Sequence, residues 1–172
     1  MKSNLVYLRP LRVAFVRSTG DYATSSGEAW GRLFSWLEQN GLNTYPGCGY
    51  GLFLDDPATV ASGDCRYEAC IEMSTLPEYR AEGSLQVRKL PGGAYVRQRY
   101  VGCYDTMRDK ALTMRQGWSK TNGLALDERR PIVQIFLDDP RRSAMAELRS
   151  DVCMPVFAEV IPARQVQSRS ND

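Results

Sequence analysis

The chain has 172 residues, 43% of them hydrophobic, with 22 basic and 20 acidic side chains, five cysteines and no histidine. This length and apolar content suit one ordinary domain, and the missing histidine excludes Ser-His-Asp or Cys-His catalysis and mixed cysteine–histidine zinc sites. A net charge of +2 argues against a nucleic-acid surface, which normally carries a clear basic excess. We therefore expect no direct contact with nucleic acid.

The five cysteines have no C-x-x-C spacing and follow no secretory signal, so we interpret them as reduced thiols of a cytoplasmic protein. The apolar runs are far shorter than the roughly 18 residues of a membrane helix, and no membrane contact is expected. Asp55-Asp56 and Asp138-Asp139 each precede a proline, a pattern typical of solvated turns more than of metal sites. We expect neither a metal nor another cofactor.

An internal repeat organises the sequence. Residues 53–73 and 136–156 are identical at 8 of 21 positions, and residues 20–42 align with 102–124 at a shift of 82. Further upstream, 14–17 match 94–97 at a shift of 80. We predict a single domain over residues 1–172, built from similar halves at about 5–75 and 84–160. A linker over 74–83 and a flexible tail over 161–172 complete this division.

The first half is predicted to open with a pair of strands, Leu5–Leu8 and Arg12–Arg17, broken at Pro10. A helix then begins at Ser25, where Glu28 completes a capping box, and ends at Asn40-Gly41. Trp30, Leu33, Phe34 and Leu37 recur at helical spacing and are assigned to its core stripe. A strand ending in Phe-Leu-Asp-Asp-Pro, a loop and a last strand over 66–73 follow.

The second half repeats this order. Strands over 85–90 and 94–101 are broken by Pro91-Gly92-Gly93, and a helix runs from Thr106, with Asp109 three residues on, to Asn122-Gly123. A strand ending in the second Phe-Leu-Asp-Asp-Pro and a last strand over 149–156 complete it. The fold class predicted from this order is α+β, with a mainly antiparallel sheet and internal pseudo-two-fold symmetry.

Alternation along the two last strands separates their faces. Tyr67, Ala69, Ile71 and Met73 form one apolar set and Val152, Met154 and Val156 the other, each suited to pack under a helix. Glu68 and Asp151 then lie mid-strand on the opposite face. Each acid either pairs with the arginine two residues earlier, Arg66 or Arg149, or lies at the floor of a groove that attracts cationic or hydrogen-bonding ligands.

Aromatic residues supply walls for such a groove. Trp36 and Trp118 near the helix ends, Tyr104 at the start of the second helix and Tyr50 before a strand are candidates, with burial in the core as the alternative. Cys153 shares the face of Asp151 and is either a lining residue or an apolar filler, because no base is adjacent to activate its thiol.

An ordered series of motifs over about residues 5–160 resembles a known family. The motifs are LRVAFVRSTGDY, AWGRLFSWLEQNGL, FLDDP, CRYEACIEM, LPGGAYVRQRYVGCYD and LRSDVCMPV. Together they resemble the GyrI-like (gyrase-inhibitor-like) effector-binding domain, also found as the C-terminal part of AraC-type and multidrug-responsive bacterial transcription regulators. The resemblance implies two βαββ (SH2-like) units around a central groove for small aromatic or cationic molecules, with an acidic residue of the last strand, here Asp151, as its centre.

From this resemblance we expect a small-molecule binding protein, with Asp151 as polar anchor and Glu68 as a second anchor. The alternative is a hydrolase, similar to family members that open the cyclopropane rings of alkylating natural products, in which Asp151 or Glu68 activates water. A protein partner such as DNA gyrase is a further possibility. The chain is either free-standing or a fragment of a regulator, and its start at Met favours the former.

Overall fold

The computed structural model describes residues 3–42, 49–76, 85–118 and 123–158. The predicted tail lies outside these ranges, as does most of the predicted linker. Within these ranges two α-helices, α1 (Tyr22–Gln39) and α2 (Asp105–Gln116), accompany nine strands. In chain order the strands are β1 (Ser3–Leu8), β2 (Leu11–Thr19), β3 (Gly49–Phe53), β4 (Arg66–Glu72), β5 (Gln86–Leu90), β6 (Gly93–Val101), β7 (Leu124–Leu126), β8 (Ile132–Phe136) and β9 (Arg149–Ala158).

Every strand pairing is antiparallel, which confirms the predicted α+β class with its mainly antiparallel sheet. The strand order is β1-β6-β9-β8-β3-β4-β2-β5, and the short β7, which the sequence analysis missed, pairs with the end of β9. That the two halves arose by duplication stays a prediction.

The expected strand pairs are wrong in one respect. β1 and β2 do not pair with each other, and neither do β5 and β6; instead β1 pairs with β6 and β2 with β5. A two-residue hairpin loop needs a positive φ at its first residue, and that residue is Arg9 before a proline in one connection and Pro91 in the other. Proline cannot adopt a positive φ and restricts the residue before it, so both connections cross to a different strand.

These crossings bend the sheet. β1 and β2 are six places apart in the strand order, about 29 Å in a flat sheet, whereas two intervening residues span at most about 11 Å. The same holds for β5 and β6. The ends of the sheet must therefore curl toward each other, and the two connections meet where Gly92 packs against the backbone of Leu8 and Pro10.

The curled sheet has two different buried faces. Both helices cover one face, with α1 packed on β2 and β4 and α2 on β9. None of the described helices covers the other face, yet Val13, Tyr95 and Val133 there are fully buried in one cluster. The sheet itself encloses this inner face. Arg130 closes one end of it, with its guanidinium 4.7 Å from the Tyr95 ring centroid and donating to three backbone carbonyls.

Both helices begin differently from the prediction. Asp21 caps α1, because its carboxylate accepts a hydrogen bond from the Ala23 amide at 2.7 Å, and Ser25 lies buried within the first turns. In α2 the Thr106 hydroxyl donates back to the Cys103 carbonyl and forms no capping box. The predicted end of α1 at Asn40-Gly41 is confirmed, with Gly41 at φ +71°. Among the described residues, neither helix is long and apolar enough to cross a membrane.

The close meeting of the two connections leads to a stability prediction. A methyl group at position 92 would lie 2.6 Å from Pro10 Cδ and 2.7 Å from the Leu8 carbonyl oxygen, so one connection has to move. We expect Gly92→Ala to lower the free energy of unfolding in urea by about 2 kcal/mol.

Gly31→Ala is the matched control, because Gly31 lies within α1 and a methyl group added there would meet no atom within 4 Å. It should raise the free energy of unfolding by up to about 1 kcal/mol through helix propensity. Equal effects of the two substitutions on the free energy of unfolding would show that close packing of the two connections at Gly92 does not limit stability.

Candidate functional site

A cavity of about 280 Å³ opens on the helix-covered face of the sheet. α1 forms one wall, the residues that begin α2 form another, and strands β3, β4 and β8 form the floor. Six aromatic side chains line it: Trp30, Phe34, Phe53, Tyr67, Tyr104 and Phe136. Its size and apolar lining are those of a pocket for a small organic molecule.

Two parallel stripes of residues on α1 differ in what they contact. Ala29, Leu33 and Leu37 are fully buried and pack the helix onto the sheet. Ser26, Trp30 and Phe34 form the neighbouring stripe at the same four-residue spacing, and they line the cavity. Helical spacing predicted that Trp30 and Phe34 belong to the core stripe; both are partly buried and pack on the core, but they also line the cavity.

The aromatic side chains hold one another in place. The Phe136 ring meets Trp30 edge-on at a centroid distance of 5.0 Å and Tyr104 at 4.6 Å, so it bridges the two walls. Trp30 Nε1 donates to the Tyr67 hydroxyl at 3.0 Å. Gly51 makes room for that hydroxyl, since any side chain at Gly51 would overlap it. These contacts preorganise the cavity.

Tyr104 is fixed by the second Asp-Asp-Pro turn. Its hydroxyl donates to the carbonyls of Asp138 and Arg149 and accepts from the Asp138 amide at 3.2 Å. The Asp138 carboxylate accepts from the backbone amide and the guanidinium of Arg149, both at 2.7 Å. Tyr22, Asp55 and Arg66 make the same contacts in the first half. The two Asp-Asp-Pro turns thus have a structural role, because each holds a tyrosine and an arginine in place.

A buried amide is the main polar group of the cavity floor. Gln134 lies on the helix face of β8, opposite Gly51, and is 2% exposed. Its side chain lines the cavity, and Nε2 has no hydrogen-bond partner among the described residues. A buried unpaired donor costs about 1–3 kcal/mol, which a ligand atom that accepts its hydrogen bond would recover.

Charged groups lie at the edge of the cavity, and two of its three acids are paired with arginines. Asp138 and Asp139 border it, each paired with an arginine, Arg149 and Arg141. These side-chain hydrogen bonds hold the pKa of both carboxyls below the ordinary range. Exposed Asp105 and partly buried Arg108 complete the edge. Within the part of the chain that is described, no group of three or more Cys, Asp or Glu side chains is placed to hold a metal ion.

Glu68 and Asp151 lie on the inner face of the sheet, away from the cavity. Glu68 is fully buried; Arg17 donates to one of its oxygens and Arg88 to the other, at 2.7 Å. Asp151 is bound by Arg99, with Arg97 Nη1 at 3.7 Å from Oδ2. The alternative in which these acids pair with Arg66 and Arg149 is therefore wrong, because their arginine partners come from neighbouring strands.

These two ion pairs lie at equivalent positions of two strand ladders. Arg17 faces Glu68 across the β2–β4 ladder, and Arg99 faces Asp151 across the β6–β9 ladder. The two arginines are 82 positions apart, the shift that also relates the helices. By position in the sheet, Arg99 and not Arg97 is thus the counterpart of Arg17, which corrects the shift of 80 read from the sequence.

The other predicted site residues do not converge on one groove. Tyr104 lines the cavity. Tyr50 and Cys153 lie on the inner face, where the Tyr50 hydroxyl donates to Glu72 and Cys153 is fully buried with a pKa raised by burial to about 12. Trp36 and Trp118 pack at the edge of the helix-side core and do not line the cavity.

Gln134, Trp30 and Phe34 are among the cavity residues that were not predicted as site residues from the sequence. Gln134 carries a detectable signal, because it is the one polar residue in the buried strand Ile-Val-Gln-Ile-Phe at 132–136. On the helix face of a strand, a polar side chain needs a partner or a ligand. Trp30 and Phe34 carry no such signal, since large aromatic residues at helical spacing suit a core equally well.

An aromatic cavity of this size under two helices is suited to bind a small molecule. The family model of the GyrI-like small molecule binding domain matches residues 1–156 of the chain. The chain therefore belongs to the GyrI-like family, as the motifs predicted. The comparison with curated protein sequences found no similar sequence.

Solved structures share the fold at low identity. The C-terminal domain of EcmrR is 18% identical with a TM-score of 0.65, over 91% of this chain and 98% of that domain. In the EcmrR–DNA complex the TM-score is 0.66 and the identity 18%; 92% of this chain is covered, but it spans only 58% of the EcmrR chain. SAV2435 bound to tetraphenylphosphonium has a TM-score of 0.59 at 13% identity, over 91% and 94% of the two chains. A hydrolase from Listeria innocua has a TM-score of 0.53 at 15% identity, over 91% and 92%.

The ion pair between Asp138 and Arg149, which helps to fix Tyr104, predicts how stability depends on pH. Because Arg149 lowers the pKa of Asp138 in the folded state, this pair stabilises the fold above the ordinary aspartate pKa of about 4, and the stabilisation is lost as the pH falls through the lowered pKa. We expect Asp138→Asn to unfold at lower urea concentration than the wild type at pH 6. That difference should shrink steadily below pH of about 4.

Asp109→Asn is the matched control. Asp109 is 69% exposed and pairs with the adjacent Arg108, so its loss should change the free energy of unfolding by less than about 1 kcal/mol at every pH. A gap between wild type and Asp138→Asn that stays constant from pH 6 to pH 3 would contradict the assignment.

Proposed function

We propose that this chain binds a flat, mainly aromatic and uncharged molecule in the cavity between α1 and α2, held by a hydrogen bond from Gln134. The observation that carries the proposal is the unpaired, 2% exposed Gln134 amide on the floor of an aromatic cavity. Trp30, Phe34, Tyr104 and Phe136 provide the ring surfaces that stack against the ligand.

The charge of the floor sets the preference between neutral and cationic ligands. A carboxylate there would offset the desolvation of a cation, but Gln134 offers a neutral dipole. Asp138 and Asp139 on the edge of the cavity are compensated by Arg149 and Arg141, and the third acid there, Asp105, is exposed, so that water screens its charge. A ligand with a carbonyl oxygen that reaches Gln134 Nε2 therefore fits better than a permanent cation of the same shape.

Membership of the GyrI-like family supports the binding of a small molecule. The finer statement, a neutral ligand in this particular cavity, rests on the geometry around Gln134. The solved structure of SAV2435 contains tetraphenylphosphonium, a cation, as its bound ligand. We infer that this chain differs from that protein in the ligand charge it selects. A role as the sensory part of a regulator, or with a protein partner such as DNA gyrase, stays a prediction.

A matched pair of probes tests the proposal: 2-acetylnaphthalene, neutral with a carbonyl oxygen, and N-methylquinolinium, a cation of similar shape. Trp36→Phe and Trp118→Phe leave Trp30 as the only tryptophan, so its fluorescence reports the cavity wall. We expect saturable quenching by 2-acetylnaphthalene. Gln134→Leu should raise its dissociation constant roughly threefold to tenfold, the value of one neutral hydrogen bond.

Gln134→Glu is the charge control. It should weaken binding of 2-acetylnaphthalene and strengthen binding of N-methylquinolinium, because the added carboxylate attracts the cation in a dry cavity. Asp151→Asn tests the acid anchor that the sequence analysis expected, and it should leave both dissociation constants within about twofold if the protein remains folded. Loss of binding in Asp151→Asn alone would overturn the proposal in favour of the inner face.

The hydrolase alternative is tested with a cyclopropane-bearing alkylating compound, because neither of the two probes contains a ring that water could open. In that hypothesis Asp151 or Glu68 activates water, but both carboxylates lie on the inner face and are held by arginines. Mass analysis of the recovered ligand after incubation distinguishes the two functions. Recovery of the unchanged ligand supports binding, and a hydrated product whose formation requires Asp151 or Glu68 supports the hydrolase.

A further inference from the structure

Cys103 stands apart from the other cysteines that the structure describes. Cys65, Cys70 and Cys153 are at most 1% exposed, and burial raises the pKa of each thiol. Cys103 is only partly buried, precedes α2 by two residues and lines the cavity. Its Sγ lies 3.7 Å from Oδ2 of Asp105, to which the thiol donates.

Gln134 lines the same cavity, and its buried Nε2 has no hydrogen-bond partner among the described residues, which independently indicates a ligand. A nucleophilic sulfur at the edge and a hydrogen-bond donor at the floor are the two groups that addition to an activated double bond requires. We propose that Cys103 captures α,β-unsaturated aryl ketones covalently after they bind in the cavity. This inference rests on the proposed binding function and extends it to a class of reactive ligands.

The chemistry is a conjugate addition that needs no further reactant. Cys103 Sγ attacks the β-carbon of the ketone and forms the C–S bond, while the electron pair of the C=C bond moves toward the carbonyl oxygen. Gln134 Nε2 donates to that oxygen and stabilises the developing enolate. The thiol proton passes to the Asp105 carboxylate, and the α-carbon is protonated from water, after which Asp105 returns its proton to solvent. The product is a thioether that contains the whole ligand.

Binding before reaction is what distinguishes this capture from ordinary thiol alkylation. A ligand held in the cavity reacts with Cys103 at a rate that saturates with concentration, because attack becomes an intramolecular step. Asp105 alone does not favour a reactive thiol, since its negative charge opposes that of a thiolate. Selectivity therefore depends on occupation of the cavity, and a small reagent that does not occupy it gains no such advantage.

The test uses the full chain with Cys48→Ser, because Cys48 lies outside the described residues. Chalcone is the reactive probe, and dihydrochalcone is the matched competitor with the same rings and carbonyl but no activated double bond. Intact mass and the tryptic peptide over residues 100–108 locate the adduct. We expect one added chalcone on Cys103, a rate that saturates with chalcone, and slowing of at least about tenfold by excess dihydrochalcone. Cys103→Ser should abolish the adduct.

Gln134→Leu distinguishes capture in the cavity from reaction of a cysteine that is merely exposed. It should slow chalcone addition roughly threefold to tenfold, yet alter alkylation of Cys103 by iodoacetamide by less than about twofold. An adduct on another cysteine, a rate linear in chalcone, or no effect of dihydrochalcone overturns the inference. If dihydrochalcone quenches Trp30 saturably while chalcone leaves Cys103 unmodified, covalent capture fails and the binding site stands. If neither dihydrochalcone nor 2-acetylnaphthalene binds, both fail.

Discussion

Two connections of two residues each determine the shape of this protein. Because Arg9-Pro10 and Pro91-Gly92 cannot turn back as hairpins, each carries the chain from one end of the strand order to the other. The sheet has to curl for both connections to close, and curling creates an enclosed inner face and an outer face that the helices cover. The cavity belongs to the outer face, whereas the paired carboxylates belong to the inner one.

Local patterns predicted the elements well because the physics that decides them is local. The alternation of Tyr67, Ala69 and Ile71 with Glu68 and Cys70 correctly separated the two faces of β4, since side chains of a strand point alternately to opposite sides. Which strands pair is decided by the whole chain and was predicted wrongly. The sequence does exclude the hairpins, because Pro10 and Pro91 prevent the turn that a two-residue loop needs. It does not indicate with which other strand each strand pairs.

The site was harder to predict than the fold for a related reason. Alternation assigned Glu68 and Asp151 to one face, but it does not indicate which face contains the cavity or which arginines reach the acids. Arg17, Arg88 and Arg99 come from strands distant in sequence and compensate both carboxylates where they are buried. A buried acid that is bound by arginines has little capacity left for a ligand. Gln134 has the opposite character: it is buried, neutral and unpaired at Nε2 within the described part of the chain.

That contrast explains how one sheet combines stability with binding. On the inner face the two buried carboxylates are satisfied within the protein, which suits a core. On the outer face the strand of Gln134 places a polar donor among aromatic rings, and the cost of leaving it unpaired is part of the folded state. A ligand that accepts a hydrogen bond there relieves this cost, whereas an apolar ligand of the same shape does not. In the proposed function, selectivity therefore depends less on attraction to charge than on the penalty for any ligand that leaves Gln134 Nε2 unpaired.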